Sequence, residues 1–579
     1  MAFRTRERLQ ARIASIFKEL LARETCVDIS VPERAEFGHY STNIAFKLAK
    51  EEGKPPMMVA GELANDLMAF TANNIFEKVE IAPPGFVNMW IKKEVLQDEL
   101  RIILSEKEKY NRPGIGKKKT VIVEYASLNI AKPMHAGYLR NIAIGDALAN
   151  AHEALGYKVI RWNYLGDWGT QFGKIVAAYK MWGDKNAIRK NPIEELQKLY
   201  VRFHTEAKDD PELEARGRLE FSKLEKRDGE NRRLWEWFKK ESLKEYKVTL
   251  KKLSVKFDVE IGEAFFERQM RPVIDELVKK GIAVRSEGAL VVHLDQFGLP
   301  TAMAEKSDGT SLYLTRDLAN LRYRLSKYKP ARILYVVGNE QSLHFEQVFR
   351  VAKMMGLNTD TAEHVKFGLV YAEGKKKFST REGNTVLLND LIREAEERAL
   401  AVVREKHAEL SGREQKSVSE SIALGALKYV NLRENRNSDI VFDWSKMLDF
   451  SGDSAPYLQY TYARLRSIER RVGMRKRLVA KMISRDVRSL RHDYDLEVVR
   501  RLIRMPDAIR LAAESTSPNL LALHLYELAN SANRFYESTS ILKETNPSRR
   551  NAHLMLIRAA AMMLKDGLRL LGISAPERI

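Results

Sequence analysis

Two stretches of the chain share one rhythm: consecutive apolar residues, a break, then apolar positions three and four apart. "TVIVEYA", from Thr120, is apolar at nearly every position and predicts a strand buried on both faces. A helix is predicted from about Gly137, with Ile144, Leu148, Ala151 and Leu155 on one side and Gly156 placed to stop it. "KVIRWNYL" is the next strand. The rhythm returns as "ARILYVVG", a helix to about Gly356, and "HVKFGLVYA". Strands alternating with helices predict a parallel sheet covered on both faces. Ligands of such sheets sit at the carboxyl ends of the strands, where "NIAKPMHAGYLR" and "VVGNEQ" fall.

Around these units the pattern changes. Residues 1–112 mix helical periodicity with a short strand in "KVEIAPPGFVNMWI", and "EKYNRPGIGKKKT" reads as a linker. A charged helical segment at about 185–285 reads as an insertion within a domain spanning 118–415. From 416 to 579 the pattern is helical throughout. The expected fold is therefore α/β: a Rossmann-like parallel-sheet domain with a helical insertion, an α+β N-terminal domain and an all-α C-terminal bundle.

Composition narrows the class. Hydrophobic residues are 44% and charged residues 30%, which fits a soluble globular chain. Lys and Arg number 98 against 78 Asp and Glu, a net charge of +20. That surplus suits a polyanion such as nucleic acid, although a solvated lysine-rich surface would give the same count. Cys26 is the single cysteine, which excludes an internal disulfide and a cysteine-based zinc cluster and points to a reducing cytoplasm. The N-terminus lacks the apolar core of a signal peptide, and no apolar run approaches the ~18 residues of a membrane span.

Three groups of residues carry candidate chemistry. His135 and Gly137 open a helix after a buried strand, where free N–H groups and the helix dipole favour phosphate; a tight turn with a locally bonded histidine is the plainer alternative. "KKKFSTREGN" combines cations, hydroxyls and Gly383 in a loop able to offset charge on a leaving pyrophosphate, or is simply a basic surface loop. Glu124, Asn129, Tyr313, Asp317 and Gln341 bring acids and amides to one edge, suited to a cationic substrate, though each alone could be a cap or surface group.

At these residues the chain resembles the class I arginyl-tRNA synthetases. "VEYASLNIAKPMHAGYLRNIAIGDAL" matches that family's extended HIGH region, "NYLGDWGTQFG" follows at the expected place, "GTSLYLTRDLAN" and "VVGNEQSLHFEQVF" match its substrate segments, and "KFSTREGN" stands at its KMSKS-type loop. "DFSGDSAPYLQYTYARLRSI", "ANSANRFYES" and "LGISAPERI" resemble its anticodon-binding domain; "EFGHYSTNIAFKLAK" and "PPGFVNMWI" resemble its extra N-terminal domain. The resemblance implies ATP as substrate with Mg2+ on the nucleotide, no structural zinc, L-arginine and tRNA(Arg) as partners, no membrane, and a monomer. It assigns arginine binding to Glu124, Asn129, His135, Tyr313, Asp317 and Gln341, and ATP binding to Leu128, His135, Gly137, Tyr138, Gly338, Asn339 and Lys377. It assigns catalysis to Lys132, His135, Tyr138, Lys377 and Ser379, and tRNA contact to Phe86, Asn88, Asn533 and Tyr536. No metal ligands are implied. In that family the first step generally requires bound tRNA.

Three positions depart from the family's pattern. Tyr138 stands where a histidine is usual, Phe378 where a methionine is usual, and Thr380 at the loop's second lysine position. Lys132 is implied to compensate for Thr380. A non-catalytic tRNA-binding paralogue is the competing reading, and Tyr138 is the residue that keeps it open.

Overall fold

The computed structural model describes residues 9–21, 27–32, 34–70, 75–307, 313–371, 386–472 and 486–579. Near the N-terminus, β1 (Tyr40–Thr42), β2 (Phe76–Ala82) and β3 (Phe86–Ile91) form an antiparallel sheet in the order β1-β3-β2. The stretch read as one strand is thus a hairpin. Pro83 and Pro84 have no N–H to continue a ladder, and Gly85 N–H closes the turn on Ala82 O at 2.9 Å.

The main sheet is parallel as expected. Its strands are β4 (Thr120–Glu124), β5 (Lys158–Asn163), β6 (Val259–Glu260), β10 (Arg332–Gly338) and β11 (Ala362–Phe367), in the order β11-β10-β4-β5-β6. Between β6 and β10 lies a small antiparallel sheet of β7 (Val284–Ser286), β8 (Ala289–Val292) and β9 (Ala302–Glu305) that the sequence pattern did not reveal. "HVKFGLVYA" divides: β11 stays in the main sheet, while β12 (Val370–Tyr371) pairs with β13 (Ile440–Val441).

The predicted helix after β4 spans Gly137–Ala154, and Gly156, at φ +89°, ends it. It is buried on nearly every side, because the helices Gly412–Arg433 and Asp493–Glu514 cover the face turned away from the sheet. The helical crossover from β5 to β6 comprises Thr170–Trp182, Lys185–Lys190, Pro192–Glu206, Pro211–Glu225 and Gly229–Lys252. It starts earlier than the segment read as an insertion and ends before β6, whose two residues pair with Trp162 and Asn163 and are too few to show a period.

The C-terminal region is helical apart from the short strand β13, which the sequence pattern did not reveal: Gly412–Arg433, Ala455–Val472, Asp493–Glu514, Asn519–Ser538 and Pro547–Leu570 pack on one another. Its tail is tied in, with Lys428 Nζ donating to Gly572 O (2.6 Å) and Gln459 to Ser574 O (2.8 Å). The N-terminal unit docks on the bundle through Arg488–Asp98 (2.8 Å), Arg112–Asp566 (2.6 Å) and Arg504 donating to His39 O (2.9 Å). No helix among the described residues is long and apolar enough to cross a membrane.

Two histidines, His39 half-buried at this docking face and His524 buried within the bundle, make stability fall with acid. Burial, aided by Arg500 and Arg504, pushes His39 down to about 3; burial, aided by Arg501 and Arg504, does the same to His524. Both are held neutral when folded, so their contribution is complete above the ordinary value of 6.5 and is lost as pH falls toward 3. Buried His524 alone costs roughly 2 kcal/mol at pH 5 relative to neutral pH. The thermal midpoint is expected to drop between pH 7 and pH 5, and a His524→Gln variant should show a shallower drop; identical slopes would dismiss His524 as the cause.

Candidate active site

From β4 the chain steps to β5 and β6 on one side, then returns to lay β10 and β11 on the other. The segments leaving β4 and β10 therefore part above two neighbouring strands, which opens a crevice at their carboxyl ends. The segment after β4 is under backbone strain. Ala126, Ser127 and Ala131 all have positive φ (66°, 48° and 62°), a cost on the order of 1 kcal/mol each. Side chains from several elements hold it. Asn141 Oδ1 accepts from Ala126 N at 2.5 Å while its Nδ2 donates to Val336 O at 2.7 Å, tying the β4 turn to β10. Tyr246, from the helical crossover, shares its hydroxyl proton between Asn129 O and Lys132 O, each 2.6 Å away. Ser242 Oγ accepts from Ala131 N at 3.3 Å. Asn129 itself lies over Gly166, where a Cβ would come within 2.1 Å of Asn129 Oδ1, so only glycine leaves the amide its place.

The helix Gly137–Ala154 starts beside this segment, and no side chain caps its first turn. Its positive end is thus available to an anion. The His135 and Tyr138 rings pack at a tilt of 41° with their centres 4.6 Å apart. Asn129 Nδ2 donates to the Tyr138 hydroxyl at 3.3 Å, which leaves that hydroxyl's own proton free for a ligand. Burial raises the Tyr138 phenol and lowers His135, so near neutral pH the first is protonated and the second uncharged. Burial also lowers Lys132, whose amine lies 5.5 Å from the Tyr200 ring centre. Ala136 N donates to Val386 O at 3.0 Å and Leu388 N to Met134 O at 2.9 Å, so the chain re-enters against His135. Lys377 and Ser379, with Phe378, Thr380 and Gly383, lie outside the described residues.

Across the crevice, Gly338 is buried at the end of β10, and Asn339 and Gln341 are exposed just beyond it. Tyr313, 65% exposed, opens the helix Tyr313–Tyr328. Asp317, one turn on, is 2.6 Å from His344 Nε2. Leu128 is buried beneath the segment after β4. Glu124 is also buried, and its carboxylate is paired with the fully buried guanidinium of Arg324. The charge of Glu124 is therefore met within the protein by Arg324, whereas Asp317 faces no internal arginine among the described residues.

Comparison with known proteins identifies the family of the chain. The family described as "tRNA synthetases class I (R), catalytic domain" matches residues 99–444, "DALR anticodon binding domain" matches 458–579, and "Arginyl tRNA synthetase N terminal domain" matches 5–91. The arginine–tRNA ligase of Streptococcus pneumoniae (strain Taiwan19F-14) is 40% identical over 578 residues, covering 99% of this chain and all of that one. The chain belongs to the arginyl-tRNA synthetase family. It joins arginine to tRNA in an ATP-consuming reaction. Among solved structures, the arginyl-tRNA synthetases of Thermus thermophilus and Plasmodium falciparum superpose with TM-scores of 0.82 and 0.83. Each is 25% identical, and each comparison covers 99% of this chain and all of the other.

For an arginyl-tRNA synthetase the predicted tRNA contacts divide. Phe86 is 39% exposed and packs on Phe46 at 5.6 Å. Asn88 is 4% exposed, paired in the sheet with Ser41 and Glu80, so it presents no surface to tRNA. The Asn533 amide donates to Tyr457 Oη and Thr461 Oγ1, both at 2.9 Å, which ties two bundle helices together. Tyr536, half-buried, lies 5.1 Å from the Arg464 guanidinium. Asn141, Ser242 and Tyr246, which build the crevice of this synthetase, were not legible in advance: each acts on backbone far away in sequence.

Proposed function

We propose that the crevice between β4 and β10 is where arginine is activated and transferred. The observation that carries this reading is the uncapped N-terminus of the helix Gly137–Ala154 beside the crevice at the switch point of the sheet. ATP lies with its phosphates toward that helix end, against Gly137, the neutral His135 and the protonated Tyr138; Leu128, Gly338 and Asn339 line the rest of its site. Magnesium would come with the nucleotide and offset the charge of its phosphates, while on this side of the crevice the chain itself supplies donors and cations, His135, Tyr138 and Lys132 among them. Arginine lies with its side chain toward Asp317 and Tyr313 and its amino and carboxylate ends toward Asn129 and Gln341. The carboxylate attacks the α-phosphorus, and pyrophosphate leaves with Lys132 and the loop residues Lys377 and Ser379 offsetting its charge. The 2′-hydroxyl of the terminal adenosine of tRNA then attacks the adenylate carbonyl and releases AMP. Residues 1–112 hold the tRNA elbow, 118–415 carry the chemistry and 416–579 hold the anticodon, in a cytoplasmic monomer.

The division between a small-molecule crevice and a wide phosphate-binding surface has a direct test. The logarithm of tRNA affinity should fall linearly with that of salt, with a slope of roughly 0.9 per duplex phosphate neutralised. Arginine affinity should change far less over the same buffers. A flat tRNA response would mean that the +20 charge is only a solvated surface.

A further inference from the structure

Three carboxylates and two guanidiniums gather at the carboxyl edge of β4 and β5. Glu124 is paired with Arg324, and Glu263 with Arg316 at 3.0 Å. Asp317, the residue after Arg316, is held by the His344 ring at 2.6 Å. Burial pushes the Glu263 carboxyl up to about 7, and Glu124 and Glu263 each face an internal arginine, so Asp317 is the carboxylate of the three left without one among the described residues and open to a cationic substrate. Charge balance is met by a single guanidinium, but its hydrogen bonds are not. A guanidinium has five N–H donors in a rigid fork, and one oxygen of Asp317 already faces His344. The remaining donors need neutral acceptors.

Tyr164 supplies one. It follows β5, and its neighbour Leu165 accepts the Glu263 N–H at 3.0 Å, so the tyrosine and Glu263 sit side by side. Its ring lies 5.9 Å from the Arg324 guanidinium and edge-on to Phe266 at 6.1 Å. Its hydroxyl is buried and has no hydrogen-bond partner among the described residues. Burial, then Asp317, Glu263 and Glu124, push the phenol well above its usual value; Arg316 opposes them. The hydroxyl is thus neutral and within electrostatic reach of all three acids. A buried hydroxyl without a partner destabilises the ligand-free protein, and such a site is retained where a ligand completes it.

We propose that Tyr164 is a substrate-binding residue of the arginine pocket: its hydroxyl oxygen accepts an N–H of the substrate guanidinium, while its own proton turns to a neighbouring carboxylate. The Glu263–Arg316 pair positions it by fixing the wall on which its ring rests. This rests on the assignment of Asp317 to the arginine pocket.

The test is Tyr164→Phe, which removes the hydroxyl and keeps the ring, measured by pyrophosphate exchange in the presence of tRNA. The arginine KM is expected to rise about ten- to a hundredfold, the range for a hydrogen bond to a charged group. The rate at saturating arginine and the KM for ATP should stay at wild-type values, as for an interaction made equally before and during the reaction. The ligand-free variant should melt no lower than wild type, since an unpartnered buried group has been removed; a merely structural tyrosine would show the reverse pattern. An unchanged arginine KM overturns the proposal. Asp317→Ala in the same assay separates the two readings. If Asp317→Ala raises the arginine KM and Tyr164→Phe does not, the tyrosine contact alone is wrong. If neither raises it, the pocket lies elsewhere and the proposal falls with it.

Discussion

Asp317→Ala is expected to raise the arginine KM by on the order of a hundredfold and to leave the KM for ATP nearly unchanged. Glu124 and Glu263 each face an internal arginine, so Asp317 is the carboxylate of the cluster left to balance the substrate's charge. Breaking a desolvated charge pair costs about 3–5 kcal/mol. The Asp317 side chain is 24% exposed, so solvent screening brings the figure to the lower end. Lysine should remain a poor substrate, because an ammonium cannot satisfy a planar fork of acceptors. Initial-rate kinetics with arginine and ATP varied separately make the measurement. Wild-type constants for arginine in Asp317→Ala would remove the residue from the pocket.

Tyr138→Phe is expected to slow adenylate formation by about a hundredfold or more, with a weaker effect on ATP binding. The phenol is kept protonated by burial, and Asn129 donates to its oxygen, which orients the remaining proton outward. Removing one donor aimed at charge that develops in the transition state costs about 3–4 kcal/mol elsewhere, and its effect falls on the chemical step. A histidine there would be largely uncharged near neutral pH, so the tyrosine forgoes little charge assistance and Tyr138→His should retain substantial activity. Pyrophosphate exchange with tRNA present compares wild type with Tyr138→Phe. Equal rates would reduce Tyr138 to a space-filling ring, and an inactive wild type that still binds tRNA would revive the non-catalytic reading.

The main strands were legible because burial on both faces writes continuous apolar runs into "TVIVEYA" and "ARILYVVG". β6 was not, since two residues that add to an existing edge need no pattern of their own. β7, β8 and β9, of three, four and four residues, are also short and lay in or beside a segment whose surroundings read as helix. In the site, His135, Tyr138 and Asp317 announced themselves through local motifs. Arg324 and Glu263 did not. An arginine or glutamate on a helix or turn reads as a surface charge until the fold shows it buried against a partner 200 or 53 positions away. Asn88, assigned to tRNA by resemblance alone, lies on the covered face of β3, a placement that matching a motif does not reveal.

Arg324 carries a last consequence. It is wholly buried, bound to Glu124, with its guanidinium 4.3 Å from the Trp162 ring centre and 5.0 Å from that of Tyr335. Flat stacking and a fork are properties of arginine that an ammonium lacks. A protein that joins arginine to tRNA therefore needs a correctly translated arginine in its own interior, beneath the pocket proposed for its substrate. A variant that charged lysine in place of arginine would place lysine at position 324 in some newly made copies, where it would leave Glu124 poorly matched and the pocket misshapen. Selection errors would then return to the selector and multiply from one generation of molecules to the next, so the fidelity of this pocket is part of what maintains the pocket.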